Sequence, residues 1–363
     1  MPVRRRTLVM ATLGAVAAAL GVAALVCAVS GCTSAGYLAQ SVSGHVDLLR
    51  RARPVDEWLT DAAAPGELRR KLELSQRMRE FAVRELHLPD NRSYRSYADL
   101  GRAAAVWNVV AAPELSLSLK TWCFPVMGCV GYRGYFDRAD ADSLAQQLQG
   151  EGLEVDVYGV PAYSTLGWTN WIGGDPLLST FIGWPDAEVA RLLFHELAHQ
   201  VVYAPDDTPF NESFAVAVER IGGTRWLTAN ADALALGEFR AYDQRRQEFR
   251  ELTAGVRAAL AALYASTANA ADKRQRKAEL YAQLRAEHAR LKSERWNGFK
   301  GYDAWVAKAN NASLGVQGAY NDLVPEFERL FERNGGNFDR FYAEVKRLAA
   351  LPKAERHATL RAP

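Results

Sequence analysis

Histidine and cysteine are scarce in this sequence, and net charge is nearly absent. Six histidines and four cysteines occur among 363 residues, and 44 basic side chains face 42 acidic ones, for a net charge of +2. A nucleic-acid partner usually leaves a concentrated basic surface. No such concentration is present, so nucleic acid is excluded as an expected partner. Nor is there an internal repeat or low-complexity tract, apart from an alanine-rich N-terminal run. Hydrophobic residues make up 49% of the chain, an ordinary share for a globular protein.

Residues 1–31 read as a targeting segment rather than as fold. Arg4, Arg5 and Arg6 form a basic start, and an apolar Ala/Val/Leu run follows to about Val29. Val29-Ser30-Gly31-Cys32 resembles a bacterial lipobox, which implies cleavage before Cys32 and lipidation of its sulfur. The alternative is a permanent membrane anchor, since the run approaches spanning length. Thr33 after the cysteine resembles outer-membrane sorting, so the expected location is a membrane facing the periplasm, reached through a lipid anchor. The triple arginine is a weak match to a twin-arginine signal. Removal of the segment leaves 41 basic residues against 42 acidic, and more than 300 of the 363 residues. That length suits one large domain or two tightly joined lobes.

The cysteines divide by this reading. Cys27 leaves with the segment and Cys32 takes the lipid. Cys123 and Cys129 remain, six apart around Phe124-Pro125-Val126-Met127-Gly128, and in an oxidising compartment they read as a small disulfide loop. A structural zinc would need two further ligands, and none is in view nearby.

With so few histidines, the placement of two of them is informative. Phe194-His195-Glu196-Leu197-Ala198-His199-Gln200 contains the H-E-x-x-H pattern of zinc metalloproteases. Residues 185–203 set Val189, Leu192, Leu193, Leu197 and Val201 at helical spacing, and Pro185 and Asp186 suit a helix start. Residues four apart share a helix face, so both imidazoles can close on one ion. Glu196 lies about 100° round the helix, within reach of a water on that ion.

Pro205 and Asp206-Asp207 mark a stop. A second helix is predicted from Asn211, a good N-cap, to Gly222-Gly223. Helices joined by so short a linker pack antiparallel, which brings Glu212 towards His199. Two histidines and one carboxylate leave a fourth position for water, the requirement of a catalytic zinc, one per chain. Glu219 falls on the same face as Glu212, roughly 10 Å along the axis, too far to share the ion. It is assigned with Asn211 to the groups that support the ligands. The bland alternative is that His195 and His199 are packed or surface histidines.

This segment resembles the gluzincin metallopeptidases, in which a second helix bearing Asn-Glu-x-Phe-Ala completes the zinc site. Asn211-Glu212-Ser213-Phe214-Ala215 matches that piece, with Ser where Gly is common. The loop between His199 and Glu212 is shorter than in the large aminopeptidases of that group. More widely, Tyr37-Leu38-Ala39-Gln40, Pro89-Asp90-Asn91, Leu119-Lys120-Thr121-Trp122-Cys123 and the Gly159–Trp168 stretch resemble a bacterial family of predicted zinc aminopeptidase lipoproteins. The resemblance covers most of the chain after residue 32. It implies a peptide substrate and a zincin-like fold.

Taken in order, Tyr37 to Leu100 is helical in pattern, with a break at Ala62–Gly66. Val106–Val110, Val130–Phe136 and Val155–Tyr158 look like strands, with a helix over Ala139–Gly150. Asp232 to Lys292 reads as a long helical hairpin broken near Ser266–Ala270. A coiled-coil dimer is the alternative use of such a hairpin, but the heptads are irregular, and oligomeric state stays open. Trp296 to Tyr320 reads as loop, and Leu323 to Leu351 as two helices around Gly335-Gly336. The fold class is therefore α+β and mostly helical. A small mixed sheet (in residues 103–223) precedes the zinc helices, a helical segment occupies 32–102, and a helical lobe occupies 224–363.

The ligands imply a mechanism. Glu196 takes the proton of an attacking water and passes it to the departing amine. Related enzymes often use Tyr or His to stabilise the oxyanion, and Tyr163, Tyr242 and Tyr320 are available. In the resemblance, an edge strand borders the cleft, with Gly159–Trp168 or the Gly173–Pro176 turn as candidate rim. Tyr163, Trp168 and Trp171 either line a substrate pocket or pack at a turn. Asp175 is the rim acid nameable for gripping a free α-amino group. Three readings compete: a zinc aminopeptidase, a zinc endopeptidase acting on periplasmic proteins, and a non-catalytic envelope lipoprotein. Retention of Glu196 argues against the third.

Overall fold

The computed structural model describes residues 32–124, 128–163, 165, 173–230 and 233–362. The targeting segment expected over residues 1–31 lies outside the described residues, as do Trp168 and Trp171. Two compact units are present, Met1–Arg51 and Ala52–Pro363. In the first, the described residues form one helix, α1 (Cys32–Arg51). No described helix is long and apolar enough to cross a membrane.

The second unit is α+β, mostly helical with small sheets. It begins with β1 (Arg53–Pro54), α2 (Val55–Thr60) and α3 (Gly66–Leu86), the last two separated at the Ala62–Gly66 break. β2 (Ser96–Ala98) pairs antiparallel with β1 and parallel with β8 (Leu177–Leu178), so this small sheet is the mixed one. The larger sheet is antiparallel throughout. Its centre is β3 (Val106–Pro113), flanked by β6 (Arg133–Tyr135) and β7 (Leu153–Val160). The expected strand over Val130–Phe136 is divided. Val130 ends β5 (Gly128–Val130), which pairs with β4 (Trp122–Phe124) in a separate hairpin. In that hairpin Cys123 lies opposite Cys129, and their sulfurs are bonded. α4 (Arg138–Gly150) lies between β6 and β7 in the chain. Asp137 caps it by accepting from Ala139 N–H at 2.7 Å, and Ala141, Ala145 and Leu148 are its buried stripe.

The next two helices differ from expectation at their ends. α5 (Asp186–Ala198) stops before His199, because Gln200 N–H turns back to Leu197 O and Val201 N–H to Ala198 O. α6 (Thr208–Asn230) starts three residues before Asn211 and runs straight through Gly222-Gly223. The glycines are there for close approach, not termination. A Cβ on Gly222 would stand 2.6 Å from Leu86 Cδ1 of α3 and 3.0 Å from Phe194 Cδ2 of α5, and one on Gly223 would stand 2.8 Å from Arg191 Cγ. Three helices thus meet at two residues without side chains.

The C-terminal helices complete the core. α7 (Ala233–Ala265) and α8 (Ala270–Glu294) form the expected hairpin and enclose Phe249, Val256, Leu260, Leu280 and Leu284. The expected loop over Trp296–Tyr320 is instead α9 (Asp303–Lys308) and α10 (Asn311–Asn321). Asn310 starts α10 with a capping box. Its side chain accepts from Ser313 N–H at 3.0 Å, while Ser313 Oγ accepts from Asn310 N–H at 2.9 Å. Asn311, fully buried, accepts from Tyr264 and Tyr281 hydroxyls and donates to the carbonyls of Pro113 and Glu114. α10 is thereby tied to both the hairpin and β3. α11 (Val324–Arg333) and α12 (Phe338–Ala349) follow, and a further helix, α13 (Lys353–Arg361), ends the unit. Phe327, Phe341 and Tyr342 pack against Phe214 of α6.

Candidate metal centre

The candidate site is built on α5, α6 and the loop between them. α5 carries Asp186 and Glu188 in its first turn, where carboxylates complement unpaired N–H groups. Lys71 of α3 holds Asp186 at 2.6 Å. Burial of Val189, Leu193, Phe194 and Leu197 fixes the rotation of the helix, and leaves His195 9% and His199 7% exposed. The chain then turns through residues 200–207. Asn211 braces this turn, accepting from Ala204 N–H and donating to Ala204 O, both at 2.8 Å. Asn211 is therefore neither the N-cap nor a partner of a ligand; it fixes the linker that returns Glu212. Asp207, buried behind the same linker, is paired with Arg356 at 2.7 Å and His357 at 2.8 Å from α13.

Three donor atoms converge as a result. His195 Nε2 and His199 Nε2 are 3.2 Å apart, and Glu212 Oε2 lies 3.4 Å from the first and 3.6 Å from the second. This set can hold one metal ion. Behind it, His195 Nδ1 lies 3.1 Å from Glu219 Oε2. Glu219 in turn is 2.7 Å from Arg191 Nη2, and Arg191 Nη1 is 2.9 Å from Asp243. Glu219 thus supports a histidine and takes no place in the triad.

The electrostatics of these donors suit a cation. Burial opposes protonation of His195, but the adjoining carboxylates of Glu212 and Glu219 outweigh it and raise the imidazole well above its usual 6.5. Burial pushes the Glu212 carboxyl up, yet the charges and hydrogen bonds of His199 and His195 bring it down to about 2. Glu219 is buried too, and Arg191 first and His195 second hold it far below the carboxylate range. Glu196 is half-buried beside the triad.

The other predicted residues separate. Tyr320, at the end of α10, has its hydroxyl raised well above 10 by burial and then by the charges of Glu212 and Glu196 among others. Tyr163 packs its ring on Phe136 at 5.1 Å. Tyr242 lies under the Arg246 guanidinium at 4.9 Å and against Phe299 at 6.3 Å. Tyr320 is thereby placed within the field of the site's carboxylates.

Asp175 requires correction. It is fully buried, and its carboxylate accepts from Thr165 N–H at 3.1 Å and Thr165 Oγ1 at 2.8 Å, so it anchors a loop and presents no rim acid. Trp168 lies outside the described residues. The Cys123–Cys129 hairpin does meet the site's linker, where Cys129 N–H donates to Asp206 Oδ1 at 2.5 Å.

Sequence reasoning missed Arg191, Tyr94, Tyr158 and Tyr203. Arg191 could have been found, since it lies four residues before His195 and places a charge on the buried face of α5. Tyr203 has its hydroxyl raised by burial and then by Glu212 and Asp206. Tyr158 is raised by burial and, more weakly, by Glu212, and Tyr94 by burial and then by Glu196. These tyrosines come from three separate segments; Tyr203 follows His199 by four residues, but no spacing links Tyr94 or Tyr158 to the histidines.

Residues 36–360 match the family model described as "Putative aminopeptidase". No curated protein and no solved structure matches the chain.

Proposed function

Because the chain belongs to the putative aminopeptidase family, we propose that it is a zinc-dependent peptidase, an aminopeptidase on a zincin-like fold. The observation that carries the reading is the convergence of His195, His199 and Glu212. A tetrahedral zinc with ligand bonds of about 2.0–2.1 Å sets its ligand atoms about 3.3–3.4 Å apart. The three separations in this triad are 3.2, 3.4 and 3.6 Å. Two imidazoles and one carboxylate are also the donor chemistry of catalytic zinc.

Zinc bound there supplies a Lewis acid that polarises a scissile carbonyl and acidifies a water to a pKa of around 7. The chain's own groups do the rest. Glu196, half-buried one residue after His195, accepts the proton of the attacking water. It returns that proton to the amine nitrogen as the C–N bond breaks, so water is consumed and an acid and an amine are released. Tyr320 keeps its hydroxyl protonated at neutral pH and donates to the developing oxyanion. Glu219 accepts from His195 Nδ1–H, which leaves Nε2 unprotonated for the ion, and Arg191 holds Glu219 in place.

Glu196→Gln tests the mechanism. It should keep zinc and fold while losing several orders of magnitude in turnover, because an amide cannot accept the proton. Wild-type hydrolysis by this variant would remove Glu196 from the role. One observation favours the second reading, an endopeptidase: Asp175 is buried and engaged by Thr165, so it is not available to grip an α-amino group. Hydrolysis of a free peptide but not its N-acetylated form supports the aminopeptidase, and equal hydrolysis supports the endopeptidase. The lipobox at Val29–Cys32 supports a lipid-anchored chain facing the periplasm, and a bonded Cys123–Cys129 pair suits an oxidising compartment. Cys32→Ser should abolish lipid labelling.

A further inference from the structure

The two histidines are held in different ways. A metal-binding histidine normally passes its second ring nitrogen to a carboxylate, carbonyl or water, which fixes the tautomer and the ring orientation. His195 has Glu219 for this purpose at 3.1 Å. His199 does not. Its Nδ1 is buried and has no hydrogen-bond partner among the described residues. The helix holds it weakly as well, because α5 ends at Ala198 and His199 N–H reaches His195 O at 3.4 Å. Helix ends are where backbone order is lost first.

The next residue supplies the missing restraint. Gln200 Oε1 accepts from Asn91 Nδ2 at 2.6 Å, and Gln200 Nε2 donates to Ser93 Oγ at 3.2 Å. Both partners belong to the loop between α3 and β2, which is itself rigidly built. Arg79, 1% exposed, donates to the carbonyls of Pro89, Asn91 and Ser93 at 3.1, 2.9 and 3.0 Å. Asn91 Oδ1 also accepts from Ser93 N–H at 3.0 Å. Tyr94 is left-handed, with φ 63°, and its N–H is bonded to Asp175 O at 2.6 Å. A bulky residue keeps such a backbone only where its surroundings over-determine it. Gly174 lets the Asp175 segment approach this closely, since a Cβ there would stand 2.5 Å from Ser93 N.

We propose that Gln200 is the positioning residue for His199: its clamp on Asn91 and Ser93 takes the place of an outer partner for the imidazole and fixes the backbone that carries it. The Pro89-Asp90-Asn91 stretch, which the mechanism leaves without a role, thereby becomes part of the metal site. The proposal rests on the reading of His195, His199 and Glu212 as a metal triad.

The test uses the metal-stripped full chain, Zn²⁺ affinity by competition with a chelator, and the Co²⁺ absorption spectrum as a report on ligand geometry. Gln200→Leu should weaken Zn²⁺ binding by about 10–100-fold, the usual effect of losing an outer support, and should alter the Co²⁺ spectrum. Gln200→Glu keeps an acceptor for Asn91 and should restore most of the affinity. Asn91→Ala should weaken binding in the same direction, and the two losses should not add in the double variant. If Gln200→Leu does not fold, Asn91→Ala and Ser93→Ala, which leave the chain around His199 unaltered, carry the same expectation. A variant that melts earlier without metal yet binds Zn²⁺ like wild type would overturn the proposal and assign Gln200 to stability alone. A wild-type chain that binds no Zn²⁺ would instead overturn the metal reading, and this proposal with it.

Discussion

Glu219→Ala separates what the outer shell does for the fold from what it does for the metal. The Glu219 carboxylate lies 2.7 Å from Arg191 Nη2, 3.5 Å from Arg246 Nη1 and 3.1 Å from His195 Nδ1. Arg191 is 2% exposed, and after the substitution it would keep Asp243, at 2.9 Å, as its acidic partner among the described residues. Breaking a buried ion pair costs about 3–5 kcal/mol when the surviving charge is left unpaired. With Asp243 retained, the low end applies, about 3 kcal/mol. Denaturant unfolding of the metal-free chain should show this as an earlier midpoint at unchanged slope. The loss of His195's partner should separately weaken Zn²⁺ by about 10–100-fold, or about 1.4–2.7 kcal/mol. Zn²⁺ titration well below the melting transition reads that part alone. Replacing Arg191 and Glu219 together by leucine should recover part of the stability but none of the affinity, because no buried arginine is left stranded, while the partly exposed Asp243 loses Arg191 and Arg246 keeps Glu188. A stability loss under about 1 kcal/mol, the scale of an exposed pair, or unchanged Zn²⁺ affinity, would refute the account.

Tyr320→Phe should lower kcat by about 10²–10³-fold with KM little changed, as removal of one oxyanion donor does; an unaltered kcat would exclude Tyr320 from that role. The metal-free chain should also show a pH signature. Burial opposes the His195 imidazolium but Glu212 and Glu219 outweigh it, so its folded pKa is raised above 6.5. The stabilisation this gives is fully present below 6.5 and is lost as pH rises through the folded value. The melting-temperature gap between wild type and His195→Gln, both without metal, should therefore narrow with rising pH, and a widening gap would contradict the assignment. Zn²⁺ must displace the same proton, so its affinity should climb across that window. Gly222→Ala gains about 1 kcal/mol of helix propensity but forces a Cβ to within 2.6 Å of buried Leu86. Overpacking costs about 1–3 kcal/mol, so the variant should be destabilised, and a stabilised chain would show slack between α3 and α6.

The elements that sequence alone determined are those specified by local spacing. A spacing of four residues from His195 to His199 put two imidazoles on one face, and apolar residues on the same period buried that face. The short linker brought Glu212 within 3.6 Å of both histidines, and the seven-residue step from it set Glu219 beside His195. The helical hairpin was legible for the same reason, since α7 and α8 are long and uniform in composition. Boundaries were less legible. Gly222-Gly223 carries a stop signal by propensity, yet α6 continues because α3 and α5 press against those two positions. Asn310-Asn311 carries a loop signal, yet a capping box and four side-chain bonds from Asn311 to distant segments start α10 there. Asp175 reads as a surface acid and is buried, because Thr165, the Ser93 hydroxyl and the Tyr94 backbone close over it. Only the tertiary structure could bring Tyr320 to the carboxylates, or Asn91 and Ser93 to Gln200 across more than 100 residues. A period of 3.6 residues specifies which side chains share a face; which distant group meets that face depends on how the whole core packs, and no local pattern carries that.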